Sequence, residues 1–580
     1  MPALAFLFIW DEYMPRLEWM VAPEPDYREV DELARELNLP PIIVKILINR
    51  GMNTIDEIKS FIDPKMEDLS DPFELPDMGK AIERIVDALR ENEKILVYGD
   101  YDVDGITASS LMFLVLNKLG AQVFYYLPNR LVEGYGLSEE GIAEATKVGA
   151  TLIVSVDTGV TAIEEVEYAR KHGIDIVVTD HHEPGEELPD SVAIVNPKVD
   201  RDSEKGYELA GVGVAFKVAQ ALYRRLQQNE TDLYEHLDLV ALGTSADIVP
   251  LIHENRILTK FGIRQIVRTT KPGLKKLVFV SGLLGKEIST GQVVFVLAPR
   301  INAIGRLGAA EKAIKLLTTR DEQVAGEIAR FLDEVNRRRK AIDEKTLEEA
   351  LSQIDEDVDL DNDRAIVLES SGWHQGVIGI VASRLVEKYY LPTVLISIDD
   401  NVGKGSARSI PAFHMYEALK GCGDVLMRYG GHKYAAGLSI DPVHIPEFRR
   451  RLKQIATEQL TPDDLTPKLN IDAEVELDSI DMDFVKTIEM FAPFGPQNMR
   501  PIFLTRNLNI VGSPYIVGKN HLKMKVRKGD KEYDVIGFGF GDHANALAMR
   551  GVDLDMAYVV EANHYFETPR IQLRVKDLHY

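Results

Sequence analysis

Tyr98-Gly99-Asp100-Tyr101-Asp102-Val103-Asp104-Gly105 follows directly on the apolar run Ile95-Leu96-Val97. The apolar run reads as a buried strand, and three carboxylates occupy alternate positions just past its end. Alternate residues of an extended segment point the same way, so Asp100, Asp102 and Asp104 are expected to project together. Like charges held that close resist ionisation unless a cation joins them. Hard oxygen ligands on a rigid edge suit Mg²⁺ or Mn²⁺. An Asp-rich turn is also a common solvated loop, so the octapeptide needs support from the rest of the chain.

That support lies downstream. Thr151 to Val156 is a second apolar-rich run and ends on Asp157-Thr158-Gly159. Ile174 to Val178 is a third and ends on Thr179-Asp180-His181-His182. Between them, Ile163, Val166 and Ala169 recur at helical spacing. This βαβ alternation predicts a parallel sheet with right-handed crossovers. All strand carboxyl ends of such a sheet lie along one edge, where ligands bind. Asp104, Asp157 and His181 are therefore expected to converge. A fourth element, Leu239 to Ala246, ends on Asp247. Carboxylates and histidines gathered at one edge suit a two-metal centre.

These four segments, in this order, resemble the motifs of the DHH phosphoesterase superfamily. More narrowly they are similar to the RecJ family of single-strand-specific 5′→3′ exonucleases. Small-molecule branches carry a histidine where this chain has Tyr98; Asp100 in its place is similar to the RecJ pattern. The resemblance extends over Pro299 to Leu307, Gly372 to Gly379, Gly405 to Ser409, Gly430 to Gly437, Phe494 to Asn498 and His521 to Lys525. It implies an α/β metal domain, a DHH-associated second α/β domain and a small oligonucleotide-binding β-barrel. It implies two divalent cations, Mn²⁺ or Mg²⁺, on Asp100, Asp102, Asp104, Asp157, His181 and Asp247, with Asp157 shared between them. His182 is expected to orient the site or contact phosphate. Ser406, Arg408 and Arg306 would hold an end phosphate, with Arg300, Asn302 and His432 beside the substrate. Arg130 is a further candidate for the 5′ end and Tyr135 for base stacking. The implied partner is single-stranded DNA with a 5′ end, with a single-strand-binding protein or a helicase alongside a monomer. Two rival functions stay open: a phosphodiesterase of short oligoribonucleotides or cyclic dinucleotides, and a non-catalytic single-strand binder.

Composition bounds these readings. A chain of 580 residues suggests three to five domains, and 45% hydrophobic with 27% charged residues describes a globular protein. The single cysteine, Cys422, excludes an intramolecular disulfide and a Cys-based zinc site, and fits a reducing cytosol. The apolar run from Leu4 to Trp10 has no Lys or Arg before it and is too short for a membrane span. By resemblance the expected start lies near Trp19, with Met14 as an alternative initiator. A net charge of −25 argues against nucleic acid at first sight. From Pro501 to Tyr580, however, eleven Lys+Arg face nine Asp+Glu, and bound cations would locally reverse the sign of an acidic site.

Expected boundaries are 1–76 for an N-terminal extension and small helical region packed on the first domain, and 77–307 for the α/β metal domain. A connecting helix follows over 308–354, then the second α/β domain over 355–465 and a barrel over 466–580. The helix carries Arg337-Arg338-Arg339-Lys340, read either as a solvated face or as a phosphate-facing rail. Gly403 to Gly405 and Gly430-Gly431 are expected to be turns that let backbone approach a phosphate. In the strand from His521, Lys523, Lys525 and Arg527 share one face and Leu522, Met524 and Val526 the other. That basic face suits a DNA backbone, with Tyr515 and Tyr565 as stacking platforms.

Overall fold

A computed structural model describes residues 16–129, 133–134, 136–199, 208–305, 310–399, 401–549, 553–563 and 568–580. The chain divides into two compact units: 54–337 with 490–500, and 1–53 with 338–489 and 501–580.

The first unit is built on five parallel strands: β1 (Lys94–Tyr98), β2 (Gln122–Tyr126), β3 (Leu152–Val156), β4 (Asp175–Thr179) and β5 (Ala193–Val195). Their order is β2-β1-β3-β4-β5. Every residue of β3 is buried, the signature of a sheet covered on both faces. Alternation assigns the two faces. Ile95, Val97, Leu152, Val154 and Val177 pack into one core with helices α1 (Val103–Lys118), α2 (Gly211–Arg225) and α3 (Leu237–Ala246). Leu96, Tyr98, Ile153, Ile176 and Val178 pack into the other, with the helices Glu139–Val148 and Ile163–Lys171. Each such buried side chain contributes roughly 1.5–3 kcal/mol, so the sheet is a rigid base for whatever its edge carries.

Residues 490–500 return to this unit as a strap. α4 (His253–Val267) holds it through Arg256, whose guanidinium donates to the carbonyls of Met490 (3.0 Å), Phe491 (2.6 Å) and Phe61 (2.8 Å). The Leu251 amide donates to the Pro496 carbonyl at 2.9 Å.

In the second unit, β6 (Ile366–Ser370), β7 (Thr393–Asp399), β8 (Val402–Arg408), β9 (Arg428–Gly431) and β10 (Ala435–Ile440) form a sheet of order β9-β10-β8-β7-β6. Only β6 and β7 run parallel. Five further strands close into a barrel: β11 (Phe503–Val517), β12 (His521–Lys528), β13 (Lys531–Phe538), β14 (Leu554–Asn563) and β15 (Arg570–His579). The circuit β11-β12-β13-β15-β14 returns to β11, which leaves no open edge among these strands. Leu522, Met524 and Val526 point inward, as the alternation requires.

Four expectations are corrected. The helix expected over 308–354 is two helices, Glu311–Thr318 and α5 (Glu322–Asp357). Thr319 is extended, and the Asp321 carboxylate caps the new start by accepting from the amides of Gln323 (2.7 Å) and Val324 (3.1 Å). The glycines of 403–405 and 430–431 lie within β8 and β9 rather than in turns. A Cβ at Gly403 would come 2.9 Å from Ile440 and one at Gly405 2.7 Å from Leu438, so neighbouring side chains need the space. Residues 16–53 belong to the second unit, not to the metal domain: Glu18–Val21 pairs in parallel with Lys468–Ile471, and the Trp19 indole donates to Asp577 at 2.7 Å. Finally, the acidic octapeptide does not continue β1. The Asp102 side chain accepts from the Gly105 amide (3.1 Å) and caps α1, which places Asp104 in the first helical turn.

Candidate active site

Asp100, Asp102 and Asp104 thus leave the tip of β1 through a loop and a helix start. Gly99 and Gly105 allow the tight passage: a Cβ at Gly105 would lie 2.6 Å from the Asp100 backbone. Asp157 ends β3 with φ 61, a left-handed conformation that Asp tolerates better than most residues yet still at a cost. His181 and His182 follow β4. Asp247 comes from the end of α3, a helix where the other acidic ends follow strands.

The structure brings these seven residues together. The ligand atoms of Asp157, His181 and His182 lie within 4.8 Å of one another, as do those of Asp104, His181 and Asp247, and those of Asp100, Asp102 and Asp157. His181 Nε2 stands 3.1 Å from Asp157 Oδ1, 3.6 Å from Asp247 Oδ2 and 3.9 Å from Asp104 Oδ2. The Asp104 carboxylate accepts the first two amides of α2, from Gly211 (2.6 Å) and Val212 (2.9 Å). A helix N-terminus is a natural seat for a carboxylate.

Electrostatics define what the cluster lacks. Burial pushes Asp104 and Asp157 well above the usual carboxylate range, and the neighbouring aspartates push further. Burial also raises Asp247. Burial lowers His181 to about 4, which leaves it a neutral imidazole able to donate a lone pair. Asp157 Oδ1 and His181 Nε2 are buried and, among the described residues, make no hydrogen bond. A Cβ at Gly211 would fall 2.3 Å from Asp157 Oδ1, and one at Gly243 2.7 Å from Asp104 Oδ1. Crowded acids, orphaned ligand atoms and glycine-lined walls together fit divalent cations.

Sequence reasoning left Asp180 out of the site, and the structure gives it a supporting place. Its carboxylate accepts from the amides of Val160 (2.9 Å), His181 (2.7 Å) and His182 (3.1 Å), and pairs with His182 Nδ1 at 2.8 Å. Burial opposes its charge, but these bonds hold its pKa below the ordinary value, while the same pairing outweighs burial and raises His182. Its adjacency to two histidines was the available signal. Tyr98 faces away: buried, its hydroxyl donates to the Gly136 carbonyl (3.1 Å).

The remaining candidates are dispersed. Arg130, Tyr135, Arg306 and Tyr565 lie outside the described residues. Arg300 and half-buried Asn302 sit in the helix Ala298–Gly305, and the Arg300 guanidinium is engaged by Asp333 (3.0 Å). In the second unit, Arg408 donates to Ser406 Oγ at 3.1 Å. Both press on the first turn of the helix Ile378–Tyr389, where a Cβ at Gly379 would come 2.8 Å from Ser406 Oγ. His432 is exposed at the end of β9. Lys525 on β12 pairs with Glu532 at 3.2 Å, whereas Lys523 is half-buried. In the basic run of α5, Arg337 pairs with Asp333 (2.6 Å), and burial lowers the pKa of Arg339 beside Asp343.

A doubly covered parallel sheet with five aspartates and two histidines at its carboxyl edge defines a DHH-type phosphoesterase. Residues 94–244 match the DHH family N-terminal domain, 362–458 the DHHA1 domain and 471–577 the RecJ OB domain. The chain belongs to the RecJ family of single-stranded-DNA-specific exonucleases. It is 38% identical over 565 residues to RecJ of Bacillus subtilis (strain 168), spanning 97% of this chain and 71% of that one. Against RecJ of Escherichia coli (strain K12) it is 33% identical over 573 residues, 95% and 98% of the two chains. The crystal structure of RecJ from Thermus thermophilus in complex with Mn²⁺ superposes with a TM-score of 0.83 at 30% identity, covering 97% and 80%.

Proposed function

We propose that this chain hydrolyses single-stranded DNA from a 5′ end, releasing 5′-mononucleotides, with two divalent cations, Mn²⁺ or Mg²⁺. The observation that carries the reading is the shared position of Asp157 and His181. Each belongs to two of the three ligand groups, and their facing atoms are buried and make no hydrogen bond among the described residues. Asp100, Asp102, Asp104, Asp157, His181 and Asp247 would hold the ions, with Asp157 between them. Ions bound there would lower the pKa of an attacking water and neutralise charge on the scissile phosphate.

The protein's own residues do the rest. α2 presents two amides to Asp104 and so fixes the site's wall. Asp180 holds His182 by Nδ1 and so fixes the ring that would orient the site or contact phosphate. Arg408 and Ser406 at a helix start supply the donors an end phosphate needs. The sole cysteine is buried and burial pushes its thiol up to about 11, which makes it a poor nucleophile; a chain with one cysteine suits a reducing cytoplasm. No helix among the described residues is long and apolar enough to cross a membrane. The reading includes a monomer that meets single strands exposed by a helicase or held by a single-strand-binding protein.

The test is digestion of end-labelled single-stranded DNA, duplex DNA and RNA, with short oligoribonucleotides and a cyclic dinucleotide alongside, in Mn²⁺, Mg²⁺ or EDTA. Metal-dependent loss of the 5′ label as mononucleotide from the DNA single strand is expected. Activity in EDTA, or preference for cyclic dinucleotides or short oligoribonucleotides, would overturn the reading.

A further inference from the structure

Asn255 lies in the first turn of α4 and is 3% exposed. Its side-chain amide is bonded on both sides. Nδ2 donates to the carbonyls of Glu208 and of Pro250, the latter at 3.0 Å, and Oδ1 accepts from the Ala210 amide at 3.4 Å. Two of these partners lie on segments that lead to candidate metal ligands. Ala210 immediately precedes α2, whose first two amides hold Asp104. Pro250 lies three residues beyond Asp247. One side chain therefore ties the start of α2, which holds Asp104, to the segment that follows Asp247, and both carboxylates lie beside His181.

The intervening backbone needs such a brace. Ile248 is 62% exposed with φ 62, a left-handed conformation that is costly for a β-branched residue. Its own side chain cannot secure it, so its neighbours must. On one side the Asp247 amide closes on the Gly243 carbonyl (3.0 Å); on the other stand Asn255 at Pro250 and the strap at Leu251. Only a carboxamide offers two donors and an acceptor from one short side chain. An ionised Asp keeps the shape but loses both donors, and Ala loses all three bonds.

We infer that Asn255 is a positioning residue that sets the spacing between the carboxylates of Asp104 and Asp247, and through it the affinity for divalent cations. The inference rests on the metal-site reading. The experiment measures Mn²⁺ binding directly, by the electron paramagnetic resonance signal of the free ion, for the full chain and for Asn255→Asp and Asn255→Ala. Affinity is expected to fall on the order of tenfold, the usual scale for a residue supporting metal ligands. Excess Mn²⁺ should restore kcat, with KM for a short single strand unchanged. Asp238→Asn is the stability control: Asp238 is buried at the opposite end of α3 from Asp247 and bonds Thr269 (2.6 Å) and Lys271 (2.8 Å). It should lower Tm and leave Mn²⁺ affinity unchanged. If Asn255→Ala does not fold, Asn255→Ser, which keeps one donor, makes the same comparison. Wild-type affinity in the Asn255 variants, or equal weakening in Asp238→Asn, would overturn the inference alone. A wild-type chain that binds no Mn²⁺ would overturn the metal-site reading itself.

Discussion

Asp157 concentrates the conflict between stability and function in this fold. It is buried, strained at φ 61 and surrounded by other carboxylates. Asp157→Asn keeps the shape and tolerates the same backbone while removing one repelling charge. Activity should fall by ~10³-fold or more, as expected when one member of a concerted site is removed. In EDTA, Tm should rise by about 2–4 °C, as for about 1 kcal/mol in a domain of this size. Activity within tenfold of wild type, or a lower Tm in EDTA, would contradict this. The acidic residues were legible because several carboxylates at successive strand ends are expensive without a purpose. Their supports were not: Asp104 is held by the amides of Gly211 and Val212, and a backbone amide has no residue identity to read.

At the element scale the strap of residues 490–500 shows where pattern reading stops. Phe494 to Asn498 stood out in the sequence, but its partner could not be read, since Arg256 lies far away and looks like any helical arginine. In the structure Arg256 is 2% exposed, stacks 4.0 Å over the Phe61 ring and donates to two separate segments, at Phe61 and at Met490-Phe491. Arg256→Leu removes the guanidinium donors from the Phe61 and Met490 carbonyls and leaves Phe491 only its bond from Asn498 Nδ2 (2.8 Å). A loss of about 3–5 kcal/mol is expected, read as a lower urea midpoint together with new protease cleavage within 490–500. An unchanged midpoint would mean that the strap is held by other contacts. The break at Thr319 was missed, and the type of the element that ends on Asp247 was left undecided, for a related reason. A short apolar run ending on an acid fits strand or helix equally, and a cap such as Asp321 is visible only once the amides above it are placed.

Across the whole molecule the charge is uneven in a way composition could not resolve. The chain carries −25, yet β12 offers a lysine-bearing outer face to solvent. Because Lys525 is already paired with Glu532, Lys523 should carry the larger share of any phosphate contact. Lys523→Ala should lower the slope of log affinity against log salt by about 0.7, the value for one contact on a single strand, and Lys525→Ala by less. Equal effects would mean that the Glu532 pair does not hold Lys525 back, and no effect from either would remove β12 from the DNA path. The barrel was legible from regular short strands; the pairing of Glu18–Val21 with Lys468–Ile471 was not, because two short apolar strands so far apart carry no mark of one another. That pairing bears on synthesis. A ribosome makes the first strand early and its partner roughly 20–90 s later, and Trp19 waits longer still for Asp577. Residues 16–53 should therefore stay protease-sensitive in nascent chains stalled before residue 468 and become resistant only on release, so that a prematurely ended product is marked for destruction at its own front end.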